Sequence, residues 1–212
     1  MRRIEAIIFD MDGVLIDARD LHYEALNSAL SPFGLEISRD AHLANFDGLS
    51  TRQKLAILSD TRGLPAGLHG LINELKQKLT IEKIPAHCRP VFQHRYMLSR
   101  LREEGYRLAL CSNSVRKTVD EMMRSANLES FFEFTLSNED IPSPKPHPDI
   151  YLEAARRLNL PPDRCLVLED NSNGIQSAKA AAMHVVEVVD PAEVNYERIA
   201  ASLDAIARGA MH

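Results

Sequence analysis

The chain has 212 residues, of which 45% are hydrophobic and 26% charged, and its formal net charge at pH 7 is −5. This composition is that of a globular protein large enough to bury a sizeable core. The mild acidity gives no electrostatic footprint for nucleic acid or an anionic membrane surface, and no apolar stretch approaches the ~20 residues of a membrane span. We therefore expect no nucleic-acid partner and no membrane partner.

The three cysteines, Cys88, Cys111 and Cys165, form no CxxC pair. An odd number of cysteines, behind an N-terminus that does not resemble a signal peptide, indicates a reducing compartment, so we expect a cytoplasmic protein. Cys111 and Cys165 fall within apolar runs, which predicts reduced core side chains and not catalytic thiols.

The first element in chain order is an apolar, partly β-branched run at residues 4–10, which predicts a strand buried on both faces. No convincing strand follows between residues 16 and 84. The patterns there are helical at 21–30, 39–45, 51–58 and 68–79, with breaks at 32–34, 47–48 and 63–65. From residue 92 onward, helical patterns alternate with four further predicted strands, at 106–112, 134–137, 165–170 and 184–189.

This alternation predicts an α/β fold, in which a Rossmann-like parallel sheet has helices on both faces and carries an inserted all-helical cap. We expect residues 1–16 and 86–212 to form the core domain and residues 17–85 to form the cap. A helical insert directly after the first strand is suited to act as a hinged lid, because its closure would exclude water and bring new side chains over the site.

Two carboxylates, Asp10 and Asp12, follow the first strand and precede Gly13. In extended backbone they project to the same side, at the end of the strand where ligand sites of parallel sheets lie. Two carboxylates directed at one place repel each other, so the pair requires a cation, a shared proton or a division of roles. Alone, the Asp-x-Asp-Gly pattern is equally consistent with an acidic turn that ends a strand.

Three later segments add polar groups next to predicted strands and helices. Residues 112–114, Ser-Asn-Ser, precede a helical pattern and could cradle an anion, although Ser114 alone is more often a helix N-cap. Lys145 stands among alternating prolines, which keep the backbone stiff and extended, and an ordinary proline-rich loop is the alternative. Glu169 and Asp170 form a second acidic pair, at the end of the fourth predicted strand.

These four segments, in this order and at spacings that fit the fold, resemble the motifs of the haloacid dehalogenase-like hydrolase superfamily. Within it the chain resembles the helical-cap branch of phosphatases and β-phosphoglucomutases, from residue 5 to about residue 190. The resemblance implies a nucleophile, Asp10, and a general acid/base, Asp12. It implies a set of phosphate-binding residues, Ser112, Asn113 and Lys145. It also implies Mg²⁺ ligands, Asp10, Asp12 and Asp170, with Glu169 near the water shell of the metal.

Charge repulsion agrees with the implied metal. Two unit charges ~4 Å apart repel by about 4 kcal/mol at an effective dielectric constant of 20, so a phosphate dianion beside Asp10 and Asp170 requires a compensating cation. Mg²⁺ favours such oxygen ligands. Two positions depart from the family pattern, since Ala18 stands where many relatives have serine and Ala182 stands where the family usually has glycine. Ala182 is expected to leave the end of its helix less well formed.

In the predicted cap, residues 48–55 resemble the segment that faces the active site in the family. The resemblance makes three cap residues candidate substrate contacts: Arg52, Lys76 and His22. For Lys54, Lys76 and Lys78, an exposed helix face with solvated charges is an equal alternative, and a helical histidine such as His22 is more often structural.

We expect a Mg²⁺-dependent phosphatase that hydrolyses a small phosphorylated metabolite, a sugar or polyol phosphate, through an aspartyl-phosphate intermediate, and that is a monomer or weak dimer. The main alternative is a β-phosphoglucomutase-type phosphotransferase. In that mutase the cap arginine directly follows the serine of Gly-x-Ser, whereas here Thr51 does so and Arg52 comes one residue later, rotated by ~100° on a helix. A non-catalytic binding protein would have lost part of the catalytic set, and a dehalogenase would lack Asp12.

Overall fold

The computed structural model describes residues 4–46 and 49–209, which divide into two compact units. One unit is Ala18–His87. The other joins the chain that precedes residue 18 to the chain from Cys88 onward.

The larger unit is built on a sheet of five strands: β1 (Ala6–Phe9), β2 (Arg107–Cys111), β3 (Phe134–Leu136), β4 (Cys165–Glu169) and β5 (His184–Glu187). The strands lie in the order β3-β2-β1-β4-β5, and every neighbouring pair is parallel. Each strand falls inside one of the runs predicted from the sequence. The predicted parallel α/β fold is therefore confirmed.

Apolar packing explains why these runs form the centre of the sheet. Every residue of β1 and β4 is buried, as expected for parallel strands that are covered on both faces. On one face, Ile8 and Val167 pack in a core cluster with Tyr151 and Ala178 from the helices that follow. The sheet is therefore rigid, and it fixes the positions of the polar residues just beyond its strands.

The described residues of the smaller unit form four α-helices: α1 (Arg19–Leu30), α2 (Arg39–Asn45), α3 (Thr51–Arg62) and α4 (His69–His87). No strand occurs in its described residues. Its core includes Leu26, Leu55 and Ile72. The bounds of α2 match the prediction, whereas α4 continues through Pro85 well beyond the predicted end. The break predicted at residues 47–48 lies outside the described residues.

Within residues 4–17 and 88–209, the larger unit has five α-helices: α5 (Phe92–Glu103), α6 (Arg116–Ser125), α7 (Asp149–Leu158), α8 (Ser172–Ala180) and α9 (Tyr196–Ala207). Helix α9 lies beyond the last element predicted from the sequence. None of the helices in the described part of the chain is long and apolar enough to cross a membrane.

The end of α8 has a left-handed residue that is not glycine. Ala182 has φ +58°, its N–H donates to Lys179 O at 3.0 Å, and the N–H of Met183 donates to Ala178 O at 3.1 Å. This pair of hydrogen bonds is the usual left-handed helix end, in which glycine is preferred. The alanine Cβ strains the helix end without preventing it from forming.

All three cysteines are buried and unpaired. Burial raises the pKa of Cys88 and Cys165 to about 12 and raises that of Cys111 as well. These thiols are therefore protonated at neutral pH and are poor nucleophiles.

Candidate active site

The polar residues singled out from the sequence lie at the carboxyl ends of β1, β2 and β4. Asp10 directly follows β1, Ser112 directly follows β2, and Glu169 ends β4. Lys145 reaches the same place from the loop that precedes α7. Ligand sites of open parallel sheets form at the carboxyl ends of the strands, at the point where the strand order reverses.

Lys145 is the centre of the cluster, and its side chain is 2% exposed. Its Nζ donates to Asp10 Oδ1 at 2.5 Å, to Glu169 Oε1 at 2.5 Å and to Cys111 O at 2.9 Å. These bonds use all three hydrogens of the ammonium group. Burial by itself would lower the pKa of Lys145, but Asp10 and Glu169 outweigh burial and raise it above its usual value. Lys145 is therefore a cation throughout the neutral range.

Glu169 is held from several sides. Its side chain is fully buried, Tyr151 Oη donates to its Oε1 at 2.6 Å, and the N–H of Asp170 donates to its Oε2 at 3.2 Å. Gly174 of α8 presses against the same carboxyl group, since a Cβ at this position would lie 1.9 Å from Glu169 Cδ and Oε1. Glycine is thus required at position 174, where the helix approaches the acid.

A second close approach involves Asp170. Gly13 has φ +85°, and a Cβ there would lie 1.9 Å from Asp170 Oδ2. Asn171 Nδ2 donates to Asp170 Oδ1 at 3.1 Å. The turn after the first acidic pair therefore packs directly on the second acidic pair, and both its backbone conformation and its contact exclude a side chain at Gly13.

The acidic groups form a compact cluster of oxygen atoms. Among the described residues, carboxylate oxygens of Asp10, Glu169 and Asp170 lie within 4.8 Å of one another. Burial raises the pKa of Asp10 well above its usual value; Lys145 opposes this shift, while Glu169, Asp170 and Asp12 add to it. A hard divalent cation fits such a set of ligands and would relieve the repulsion. Because Glu169 already accepts hydrogen bonds on both oxygens, Asp10 and Asp170 are the better candidate ligands.

Asp12 has a different environment from Asp10. Its Oδ2 accepts a hydrogen bond from Ser114 Oγ at 3.0 Å. The alternative in which Ser114 is a helix N-cap is excluded, because the N-cap of α6 is Val115. The Ser114 hydroxyl therefore acts as a donor to Asp12 and not as the acceptor of a helix cap.

Ser112 and Asn113 lie in the same loop but face different groups. Ser112 is 1% exposed and its Oγ accepts from the N–H of Ser114 at 3.0 Å, which leaves its hydroxyl hydrogen without an acceptor among the described residues. The side-chain amide of Asn113 faces the main chain of Lys145, where Oδ1 accepts from the N–H at 3.0 Å and Nδ2 donates to the carbonyl at 3.3 Å.

The candidate residues of the helical unit are partly buried. Lys54 and Lys76 are each 8% exposed, which excludes the alternative of solvated charges for these two residues, while Lys78 is exposed. Lys76 Nζ lies 3.3 Å from His22 Nδ1, and Lys54 Nζ lies 3.5 Å from His42 Nε2. The sequence pattern could not reveal these pairs, because their members are far apart in the chain.

Arg52 is the second residue of α3, two positions after the N-cap Ser50, and its side chain is exposed. The buried face of the helix instead carries Lys54, Leu55 and Leu58. Of the charged residues in this segment, Lys54 is the one that the fold removes from solvent.

Tyr151 is a site residue that the sequence analysis missed. Its side chain is fully buried, its hydroxyl contacts Glu169, and Lys145 Nζ lies 5.0 Å from the centre of its ring. Burial, reinforced by Glu169, raises the pKa of Tyr151 well above its usual value, so the hydroxyl keeps its hydrogen and remains a donor. The signal available in the sequence was its place in the first turn of α7, shortly after Lys145.

The fold and the site together define an α/β enzyme with an acidic centre bridged by a lysine. The sequence profile described as haloacid dehalogenase-like hydrolase matches residues 7–188, and the chain belongs to this family. The resemblance inferred from the four motifs is thereby confirmed.

Three similar proteins are informative. The chain is 29% identical over 183 residues to the phosphorylated carbohydrates phosphatase of Thermotoga maritima, covering 85% of this chain and 82% of that protein. It is 30% identical over 201 residues to hexitol phosphatase B of Escherichia coli, covering 93% and 89%. The crystal structure of CbbY from Rhodobacter sphaeroides in complex with phosphate has a TM-score of 0.77 at 26% identity, covering 86% of this chain and 84% of that one.

Proposed function

We propose that this protein is a Mg²⁺-dependent phosphatase that hydrolyses a phosphorylated sugar or polyol through an aspartyl-phosphate on Asp10. One observation carries the proposal above all others: a buried carboxylate, Asp10, stands at the end of the central strand with the Lys145 ammonium group 2.5 Å away and further carboxylates around it. The similarity to two phosphatases of phosphorylated carbohydrates supports the substrate class.

Asp10 is the proposed nucleophile. An oxygen of its carboxylate attacks phosphorus, the bond to the ester oxygen breaks, and the phosphoryl group is transferred to Asp10. The reaction requires the ionised carboxylate, which burial disfavours and Lys145 favours. Lys145 therefore contributes by keeping the nucleophile charged before substrate binds.

Asp12 is the proposed general acid and base. In the first half-reaction it gives a proton to the departing alkoxide, and in the second it removes a proton from the water that attacks the aspartyl-phosphate. The hydrogen bond from Ser114 orients the Asp12 carboxyl group for both steps. Hydrolysis then releases inorganic phosphate and restores the Asp10 carboxylate and the protonated Asp12.

Ser112 and Lys145 are the proposed phosphate contacts. Ser112 can donate its hydroxyl hydrogen directly, whereas all three hydrogens of Lys145 already have acceptors. A phosphoryl oxygen must therefore replace one acceptor of Lys145. Asp10 is the acceptor that a phosphoryl oxygen replaces most easily, because the Asp10 carboxylate loses its negative charge when it bonds to phosphorus.

Asp10, Asp12 and Asp170 are the proposed Mg²⁺ ligands, as the family resemblance implies. Glu169 is proposed to lie near the water shell of the metal. When bound, Mg²⁺ supplies the positive charge that lets a phosphate dianion approach these carboxylates. The helical unit is the part of the chain that we propose to select among phosphoesters, with Lys76 and its neighbour His22 as candidates.

The test is phosphate release from a panel of sugar, polyol, nucleotide and short-acid phosphates, measured with Mg²⁺ and with excess chelator. We expect the highest kcat/KM for a sugar or polyol phosphate, complete loss of activity with chelator, and recovery when Mg²⁺ is restored. Full activity in chelator would overturn the metal assignment, and no hydrolysis of any member would overturn the function.

A mutase is tested separately with β-glucose 1-phosphate and a trace of the 1,6-bisphosphate. A phosphatase releases inorganic phosphate at least as fast as glucose 6-phosphate forms. Much faster formation of glucose 6-phosphate would favour the mutase instead.

A further inference from the structure

The side chain of Asn113 grips the main chain of Lys145 with two hydrogen bonds. Asn113 Oδ1 accepts from the Lys145 N–H at 3.0 Å, and Nδ2 donates to the Lys145 carbonyl at 3.3 Å. Asn113 lies two residues beyond the end of β2, so one partner of this grip is attached to the sheet. The other partner belongs to the irregular segment between β3 and α7.

Lys145 needs such an anchor because its ammonium group must meet three acceptors at once. Asp10, Cys111 and Glu169 belong to the ends of three different strands, whereas Lys145 comes from a loop and has a long, flexible side chain. Ordering a long lysine side chain costs conformational entropy, and a loose main chain would add to that cost.

A second amide extends the connection. Asn138, just after β3, donates from Nδ2 to Asn113 O at 2.9 Å, and its N–H donates to Ser114 O at 3.2 Å. Asn113 is therefore bonded to two places in the segment between β3 and α7, Asn138 and Lys145. Among the described residues, its side chain hydrogen-bonds to Lys145 alone.

We propose that Asn113 is a positioning residue, which fixes the Lys145 main chain and thereby holds the ammonium group on Asp10 and Glu169. This goes beyond a role in binding phosphate, and it rests on the proposed function only for the use made of Lys145 in catalysis. It predicts that loss of the Asn113 amide releases Lys145 even when no phosphate is present.

The chain offers a matched control in the helical unit. Asn27 Nδ2 donates to Ile37 O at 2.9 Å, and Asn27 Oδ1 accepts from the Ile37 N–H at 2.9 Å, which is the same pair of bonds to a main chain that carries no catalytic group. Asn27→Ala therefore measures the effect of losing two such hydrogen bonds at a position outside the catalytic residues.

The experiment measures acetylation of Lys145 by acetic anhydride, read by mass spectrometry, in the wild type and in Asn113→Ala, Asn113→Asp and Asn27→Ala. Hydrolysis of the best phosphomonoester is measured in parallel. In the wild type Lys145 is buried and should react slowly. Asn113→Ala should acetylate Lys145 at least 10-fold faster and lower kcat about 10- to 100-fold, as expected when a reacting group is displaced by about 1 Å. Asn113→Asp keeps the acceptor for the Lys145 N–H and should show a smaller rise in acetylation.

Asn27→Ala should lose thermal stability while its Lys145 acetylation and kcat stay within twofold of the wild type. Lys145 acetylation in folded Asn113→Ala within twofold of the wild type would overturn the proposal, as would an equal rise in Asn27→Ala. If Asn113→Ala does not fold, Asn113→Asp decides, and Lys145 acetylation at the wild-type rate in that variant would overturn the proposal. If the wild type hydrolyses no phosphoester, the proposed function fails while acetylation still tests the positioning role.

Discussion

Gly174 offers the sharpest structural perturbation of the site. In Gly174→Ala the added methyl group would begin 1.9 Å from Cδ and Oε1 of Glu169 and 2.1 Å from Oε2. The carboxyl group must move by well over 1 Å to reach the ~3.5 Å at which heavy atoms make favourable contacts. Since Glu169 holds Lys145 and accepts from Tyr151, this movement displaces the ammonium group from Asp10.

We expect Gly174→Ala to lower kcat about 10- to 100-fold, because a displacement of this size commonly has such an effect on catalysis. Replacing a helical glycine by alanine stabilises a helix by about 1 kcal/mol, but overpacking against Glu169 costs about 1–3 kcal/mol. The free energy of unfolding of Gly174→Ala should therefore fall. The assays are phosphate release with Mg²⁺ and unfolding in urea.

Gly70→Ala is the matched control, since Gly70 is also helical and a Cβ there would meet nothing within 4 Å among the described residues. It should gain up to about 1 kcal/mol of stability without any change in kcat. The account of the site would be refuted if Gly174→Ala kept the wild-type kcat and was as stable as Gly70→Ala.

Two further predictions concern stability. Ala182→Gly should raise the free energy of unfolding by about 0.5–1 kcal/mol, because it relieves the strain of a left-handed alanine at φ +58°. Ala180→Gly, at the end of α8, should instead lower the free energy of unfolding by about 1 kcal/mol. Changes of the same sign in the two variants, measured by urea unfolding, would show that Ala182 is not strained. Burial lowers the pKa of His94, against the opposing effect of the Pro191 and Leu15 carbonyls, so below pH ~6.5 the unfolded chain binds a proton that the folded chain does not. The wild type should therefore lose more stability than His94→Gln between pH 7.5 and pH 5.5, by at most about 1.4 kcal/mol per pH unit, and equal losses would show that His94 does not titrate this way.

The sheet could be predicted well from the sequence because its strands are continuous apolar runs, which are typical of parallel strands buried on both faces. The ends of those runs also located Asp10, Ser112 and Asp170, since polar residues at carboxyl ends share one edge. Tyr151 could not be found in this way. Its contact with Glu169 joins a helix to a strand, and nothing in the local pattern distinguishes it from an ordinary core tyrosine.

Ser114 and Lys54 are two further residues whose contacts could not be predicted from the local sequence. Local preferences left a helix cap open for Ser114 and a solvated charge open for Lys54. In the structure Ser114 donates to Asp12, which is 102 residues away in sequence, and Lys54 is buried near His42. Contacts between distant parts of the chain override local propensity where charged groups are buried.

The most direct test of the central claim is chemical trapping of the phosphorylated enzyme. Wild-type protein that is turning over a phosphomonoester with Mg²⁺ is quenched and reduced with borohydride, which converts an aspartyl-phosphate to homoserine, and the peptide containing residues 10 and 12 is sequenced by mass spectrometry. An aspartyl-phosphate on Asp10 predicts homoserine at position 10, an unmodified Asp12, and neither trapping nor hydrolysis in Asp10→Asn. Homoserine at another position, or wild-type hydrolysis in Asp10→Asn with deamidation excluded, would contradict it.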